Sequence, residues 1–264
     1  MMDITAALIL CAGQGKRMGE LTHDLPKPLL EFLPGVTFLE YQIAYCLWHG
    51  IENLFINIHY QGSKIKNFIA QKYPKLKIVF LEEPELFEVG GSILYCLDSF
   101  EKNFLKKEDY LLAINSDILH PSFLPSLFFP CAGTEALLFS FRVPSRLLEE
   151  SICNLLEIDE QGFLKKIISS NEHDLLAQQE SSVTFAGLSL IPCNLPFSFK
   201  GKEGIFERIA NFSKEKIKIL PLRGEFESID LGTYNLWKQR NFQKNTSFMN
   251  FWQEIKEILK QFRQ

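Results

Sequence analysis

Two glycines and two cations near the N-terminus carry the clearest chemistry in this chain. Gly13 and Gly15 follow the apolar run Leu8-Ile9-Leu10-Cys11-Ala12, Arg17 comes two residues after Gly15, and Lys27 stands between Pro26 and Pro28. Glycines at the end of a buried strand let the backbone turn sharply and bring its N–H groups against an anion. A guanidinium and an ammonium close by add the charge that a phosphate needs. Spacing sets aside two commoner glycine loops. A Walker A loop ends in Gly-Lys-Ser/Thr, and that tripeptide does not occur here; the dinucleotide fingerprint needs a third glycine where Met18 stands. A lone Gly-x-Gly would read as an ordinary tight turn, but the set that adds Arg17, Thr22 and Pro26-Lys27-Pro28-Leu29 is much harder to reach by chance.

Three further glycine- or aspartate-bearing segments are Glu88-Val89-Gly90-Gly91-Ser92, Asn115-Ser116-Asp117 and Ile229-Asp230-Leu231-Gly232-Thr233. Read alone, Asp117 also suits a helix cap near Pro121, and Asp230 a turn residue before Gly232.

These residues need a scaffold that gathers them. Apolar runs at 6–11, 53–58, 77–81 and 110–115 read as strands, and 38–49, 62–73 and 91–100 have helical spacing of apolar residues. The β-α-β-α order implies a doubly wound, mixed but mostly parallel sheet, whose ligands bind at the carboxyl ends of the strands. The glycine loop and Asp117 both follow strands, so they fall on one rim. Further strands are expected at 134–143, 154–158, 163–168 and 183–191, several with antiparallel alternation, with a turn at Gly162. Phe248, Phe251, Trp252, Ile255, Leu259 and Phe262 form the stripe of a C-terminal helix, packed on the domain or, as a minority reading, on a second copy.

Taken together, the four segments make the chain similar to the sugar-phosphate nucleotidylyltransferases, which join a nucleoside triphosphate to a sugar 1-phosphate and release pyrophosphate. The similarity runs from residue 8 to residue 233 in the family's order. It implies a Rossmann-like nucleotide-diphospho-sugar transferase fold in one domain over 1–264: a nucleotide half (1–120), a sugar-phosphate half (121–233) and a helical end (234–264). It also implies roles. Arg17 and Lys27 would be catalytic, gripping the departing phosphates and the α-phosphate. Leu10, Ala12, Gly13, Gly15, Glu83, Gly90 and Gly91 would bind the nucleotide, with a carboxylate at Glu82 or Glu83 near the base edge. Asn115, Thr184 and Gly187 would line the sugar-phosphate pocket, with a strand kink as the plainer reading of Gly187. Asp117 and Asp230 would hold Mg²⁺, an ion that takes one or two carboxylates and completes its shell with phosphates and water.

The resemblance leaves the substrates open. The Gly90-Gly91 segment is similar to N-acetylmuramate 1-phosphate uridylyltransferases and to heptose and mannose 1-phosphate guanylyltransferases, so UTP or GTP is favoured and CTP is possible. Ser92 replaces a glycine common in the uridylyl group. The Glu-Lys-Pro that larger members carry after the central turn is missing, and Lys165 or Lys166 is a substitute or a solvated strand edge. A cytidylyltransferase for a non-sugar phosphate such as phosphocholine is a second reading. A non-catalytic, nucleotide-sugar-binding regulatory subunit is a third, but retention of Arg17, Lys27, Asp117 and Asp230 speaks for the enzyme. An NAD-dependent dehydrogenase is remoter still, because no acidic residue clearly ends a second strand about 20 residues past the glycines.

Composition bounds the rest. A net charge of −4 offers no basic field for nucleic acid. No apolar run reaches the roughly 18 residues of a membrane span, and no signal-peptide pattern opens the chain, so a cytoplasmic protein is expected. Cys11, Cys46, Cys96, Cys131, Cys153 and Cys193 are spread without a C-x-x-C pair and read as reduced, buried thiols. Hexapeptide repeats, the sign of a fused acyltransferase domain, are absent. A monomer or homodimer is expected.

Overall fold

Residues of β1 (Ile4–Leu10) alternate between two hydrophobic cores, Ala7 and Ile9 entering one while Ala6 and Leu8 enter the other. A strand covered on both faces has no wet side, so its sequence is an unbroken apolar run. The computed structural model describes residues 4–99, 109–120, 136–142, 155–160, 164–168, 183–193, 201–202, 217–221, 228–239 and 246–263. Parallel to β1 lie β4 (Asn53–Ile58) on one side and β6 (Tyr110–Asn115) on the other, and β4 pairs in parallel with β5 (Ile78–Glu82). Leu10 stands level with Asn57 and Asn115, which aligns three strand ends on one rim.

Helices on both faces make the sheet doubly wound, as expected. α1 (Phe38–Trp48) starts from a capping box in which Thr37 and Glu40 bond each other's backbone, and every residue from Phe38 to Leu47 is buried. α2 (Gly62–Lys72) covers the same face through Ile65 and Ile69, and α3 (Val89–Ser99) covers the opposite one through Ile93 and Cys96. The second half turns the sheet antiparallel. β11 (Val183–Pro192) runs against β6 and then pairs with both β8 (Ala136–Arg142) and β9 (Leu155–Ile158). β10 (Leu164–Ile168) extends that side, and β12 (Ile217–Pro221) lies parallel to β8.

Small elements do the final placing. β7 (Ile118–Leu119) pairs with β13 (Ile229–Asp230), and β2 (Glu31–Leu33) with β3 (Val36–Thr37). α4 (Tyr234–Gln239) follows β13. Strands of two or three residues carry no periodicity, so none of these four strands was legible in sequence. The C-terminal stripe is real but is shared between α5 (Thr246–Ile255) and a 3₁₀ segment, Lys256–Phe262, not one continuous α-helix. Phe248 and Trp252 stack on Tyr41 of α1, each with ring centroids 5.8 Å away, so the stripe faces this chain's own core. α3 begins at Val89, two residues earlier than its apolar spacing implied, which puts Gly90 and Gly91 in its first turn. Gly162 and the ends of the expected strands at 134–135, 143, 154 and 163 lie outside the described residues. Among the described residues no helix is long and apolar enough to cross a membrane.

Candidate active site

The glycine loop folds back on the residues that make its motif long. Gly15 has φ 65°, and a Cβ there would lie 2.8 Å from Thr22 Cγ2 and 3.1 Å from Lys27 Cβ, so only glycine fits without displacing both. Thr22 Oγ1 donates to the carbonyls of Gly15 and Gly19 at 3.1 Å each, closing the loop into a rigid turn. Its place in the motif is thus structural. Arg17 leaves this turn exposed, whereas Lys27 is buried on a tight turn over Lys27–Leu29 that Pro26 and Pro28 favour.

Lys27 reaches two distant segments at once. Its Nζ pairs with Asp117 Oδ2 and donates to the Gly232 carbonyl at 2.9 Å. The Leu231 N–H donates to the Asp117 carbonyl at 3.0 Å, continuing the β7–β13 pairing and setting Asp230 beside Asp117. Asp230 Oδ1 accepts the Gly232 N–H at 2.6 Å, so the turn role is present together with the clustering. Gly232 keeps the centre open: a Cβ there would stand 2.7 Å from Asp230 Oδ1, 3.2 Å from Asp117 Oδ2 and 3.4 Å from Arg17 Nη2. Four charged side chains from four segments therefore meet around one glycine.

Their electrostatics differ. Burial would raise the Asp117 carboxyl, but the Lys27 ammonium, by charge and hydrogen bond, and the Arg17 guanidinium outweigh it and hold that carboxyl below the usual carboxylate range. Asp230 is pushed up by burial and by the Asp117 charge, and the Gly232 N–H, Lys27 and Arg17 do not compensate fully. Two carboxylates of unequal proton affinity beside two cations suit a hard divalent ion and phosphates. The donor set fits Mg²⁺, which takes few protein carboxylates, and a side chain at Gly232 would crowd both of them. Among the described residues no group of three or more metal-ligating side chains occurs. The Cys11 thiol nearby is raised by burial and by Asp117, so it stays protonated and offers no nucleophile.

Where the resemblance expects the base, the contacts of Glu83 run within the protein. Leu10, Ala12 and Gly13 end β1 and open the loop, and a Cβ on Gly13 would meet nothing within 4 Å. Glu83, however, is buried at 4% exposure, and both its oxygens are engaged: Oε1 by Asn57 Nδ2 at 2.7 Å and Ser92 Oγ at 2.6 Å, Oε2 by the Phe87 N–H at 3.1 Å. A carboxylate so engaged has little left for a base edge. Asn57 also accepts the Cys11 N–H at 2.7 Å, so it ties the glycine loop to Ser92 beside the Gly90-Gly91 pair. Glu82 is exposed and pairs with Lys66. Sequence reasoning missed Asn57; its signal was a polar residue inside the apolar run of β4.

Of the residues expected to line a sugar-phosphate pocket, Asn115 and Gly187 come together. Gly187, at φ 74° where the register of β11 shifts, is so close that a Cβ would lie 3.1 Å from Asn115 Cβ and 2.6 Å from Ile118 Cδ1. The strand kink and the neighbourhood to Asn115 are thus one feature. The Thr184 backbone pairs with Phe141 and Leu155, three residues before Gly187. Lys165 is exposed and stands 3.6 Å from Glu157 on β9, and Lys166 is also exposed, as on a solvated strand edge. Cys11, Cys46, Cys96 and Cys193 are free thiols, and Cys131 and Cys153 lie outside the described residues.

This fold and site define a class. Residues 6–128 match the family model described as Nucleotidyl transferase. The chain is 31% identical over 106 residues, 40% of its length and 45% of the relative's, to the D-glycero-alpha-D-manno-heptose 1-phosphate guanylyltransferase of Campylobacter jejuni. It is 24% identical over 258 residues, 94% of its length and 51% of the relative's, to the bifunctional protein GlmU of Methanococcus aeolicus. The alignments to these curated relatives span about half of their length or less. Among solved structures, HddC from Yersinia pseudotuberculosis superposes with a TM-score of 0.69 at 17% identity, covering 89% of this chain and 97% of that one. The inositol-1-phosphate CTP transferase from T. maritima superposes with a TM-score of 0.70 at 14% identity, over 94% and 96%. These matches bear out the resemblance: residues 6–128 match the Nucleotidyl transferase family model, and the chain has the nucleotidyltransferase fold.

Proposed function

We propose that this protein is an enzyme that transfers a nucleoside monophosphate from an NTP to a sugar 1-phosphate, forming a nucleotide sugar and pyrophosphate. The carrying observation is the convergence of Arg17, Lys27, Asp117 and Asp230 around Gly232. A phosphate oxygen of the acceptor attacks the α-phosphorus, the bond to the bridging oxygen of the β-phosphate breaks, and pyrophosphate leaves with that electron pair. Both reactants are anions, so catalysis is a matter of alignment and charge neutralisation, with no covalent enzyme intermediate.

In this reading Arg17, exposed at the loop's edge, holds the β- and γ-phosphates with its planar multi-donor head. Lys27, held by two prolines, serves the α-phosphate, where negative charge grows in the transition state. Asp117 and Asp230 would hold Mg²⁺, which when bound neutralises phosphate charge and fixes the triphosphate's orientation. Asn57 fixes the glycine loop from beneath through the Cys11 N–H, and the backbone around Ala12, Gly13, Gly15, Gly90 and Gly91 receives the nucleotide. Asn115, Thr184 and Gly187 face the acceptor.

UTP or GTP is favoured over CTP and a sugar 1-phosphate over phosphocholine, in a cytosolic monomer or homodimer. Supporting the acceptor class, the Campylobacter jejuni relative is named as a heptose 1-phosphate guanylyltransferase. The test is Mg²⁺-dependent pyrophosphate release across five NTPs against muramic, mannose, glucose, heptose and glucosamine 1-phosphates, with phosphocholine added. Release from one NTP with one sugar phosphate is expected. Tight nucleotide-sugar binding without release from any pair would replace the enzyme by the regulatory reading.

A further inference from the structure

α1 is buried from Phe38 to Leu47, yet it carries Gln42 at 0% exposure among Tyr41, Ile43, Ala44 and Tyr45. A primary amide in such a place loses its water and must find partners in the protein. Gln42 finds them on either side of Asp117: its Nε2 donates to the Ile118 carbonyl at 2.8 Å and to the Ser116 carbonyl at 3.3 Å. Its Oε1 has no hydrogen-bond partner among the described residues. Its amide therefore does more than pack, because an apolar side chain of equal length would fill the same volume but leave the Ser116 and Ile118 carbonyls without this donor.

Neighbouring contacts have the same target. Tyr41 Oη donates to the His120 carbonyl at 2.7 Å, and His120 Nδ1 lies 3.0 Å from Ser228 Oγ, two residues before Asp230. Every one of these bonds holds backbone or side chain in the two short segments, 116–120 and 228–230, that present the aspartates. β7 and β13 are only two residues each, too short to fix a geometry by themselves.

We infer that Gln42, reaching from the buried face of α1 to the carbonyls flanking Asp117, is a positioning residue for the carboxylate pair, with the Tyr41–His120–Ser228 contacts bracing the Asp230 side. This rests on the proposed metal-holding role of Asp117 and Asp230. A ligating carboxylate displaced by a fraction of an ångström still folds but binds its ion and aligns its substrate less well, and loss of such support typically weakens metal binding by about 10–100-fold.

The test is Gln42→Met, which keeps volume and removes both donated bonds. The expected result is a folded protein whose thermal midpoint falls by no more than a few degrees, since loss of the two donated bonds is partly offset by removal of the unbonded Oε1, and NTP affinity in EDTA unchanged. Mn²⁺ affinity of the protein–nucleotide complex, read by electron paramagnetic resonance, should be weakened at least fivefold, with kcat reduced and KM for the NTP little altered. Faster amide exchange at Leu231, whose N–H bonds Asp117, should accompany it. Wild-type Mn²⁺ affinity and exchange in a folded Gln42→Met protein would overturn the inference. Should that protein fail to fold, Gln42→Glu, which keeps the length but not the amide donor, is read by the same Mn²⁺ titration, and wild-type affinity there overturns it equally. If wild type itself binds no Mn²⁺ with nucleotide, the proposed function fails first.

Discussion

At one end of the candidate site Asp117 and Asp230 face each other across Gly232, and Asp230 stays raised despite two nearby cations; at the other, Glu83 has both oxygens bonded by Asn57, Ser92 and the Phe87 N–H. Of the first pair Asp117 is compensated by Lys27, whereas Asp230 is left incompletely compensated, as a group awaiting a ligand is. The second is saturated from within the protein. A carboxylate on the rim of a nucleotide fold can thus hold the ligand or hold the loops that hold the ligand, and its hydrogen-bond inventory tells which.

The sharpest way to break that contrast is at the charged end. Lys27→Ala removes the ammonium that the proposed function sets where negative charge develops, and should lower turnover by about 10²-fold or more, as for loss of one preorganised donor. Pyrophosphate release at saturating substrates measures it. Turnover within a few-fold of wild type would leave the Lys27–Asp117 pair a structural bridge and make the two ends alike.

Asp230→Asn should come next, raising the Mg²⁺ needed for half-maximal activity by about tenfold or more. The same variant has a stability signature whose sign follows from the raised carboxyl. The folded protein binds that proton more tightly than the unfolded chain does, so Asp230 stabilises the metal-free fold below about pH 4 and loses that contribution as pH rises through its raised value. Asp117, lowered in the fold, acts oppositely: its contribution is present at neutral pH and disappears on acidification. In EDTA at neutral pH, Asp230→Asn should therefore melt above wild type, and the gap should close at acid pH. A variant that melts below wild type at neutral pH would show that Asp230 is satisfied like Glu83.

From the saturated end the expected effect is smaller and of another kind. Glu83→Gln leaves one acceptor oxygen where three donors converge and should cost about 1–2 kcal/mol of stability while leaving the preference among NTPs unchanged. Chemical denaturation and the NTP panel check it together. A switch of preferred base in a stable protein would return Glu83 to the base edge.

These two ends also mark what the sequence could disclose. That the glycine loop, Arg17, Lys27, Asp117 and Asp230 come together was legible from their residue types and spacing, and the strands around β1 because burial on both faces leaves an apolar run. Glu83 was ambiguous: a carboxylate after β5 looks the same in sequence whether its oxygens point to a ligand or to Asn57, 26 positions earlier in the chain. Gln42 was silent for a related reason, since its partners, the carbonyls of Ser116 and Ile118, belong to a segment 74 to 76 residues away and backbone carbonyls have no sequence signature. The pairing of β7 with β13 was invisible because two residues have no period. What a sequence conceals here is the wiring between segments, not the groups that are wired.

The smallest effect is expected where the loop meets solvent, and it separates the two glycines. Gly15 is held at φ 65° against Thr22 and Lys27, so its substitution strains the fold; Gly13 has open space where a Cβ would go and lies outside the left-handed region. Gly13→Ala should therefore stay within about 0.5 kcal/mol of wild-type stability. Its added methyl would instead stand where the backbone must approach a phosphate, so NTP binding should weaken by a few-fold with the fold intact. Isothermal titration with a non-hydrolysable NTP reads the affinity, and a melt reads the stability. Wild-type affinity in Gly13→Ala would move the triphosphate away from this face of the loop and leave Arg17 to reach it alone.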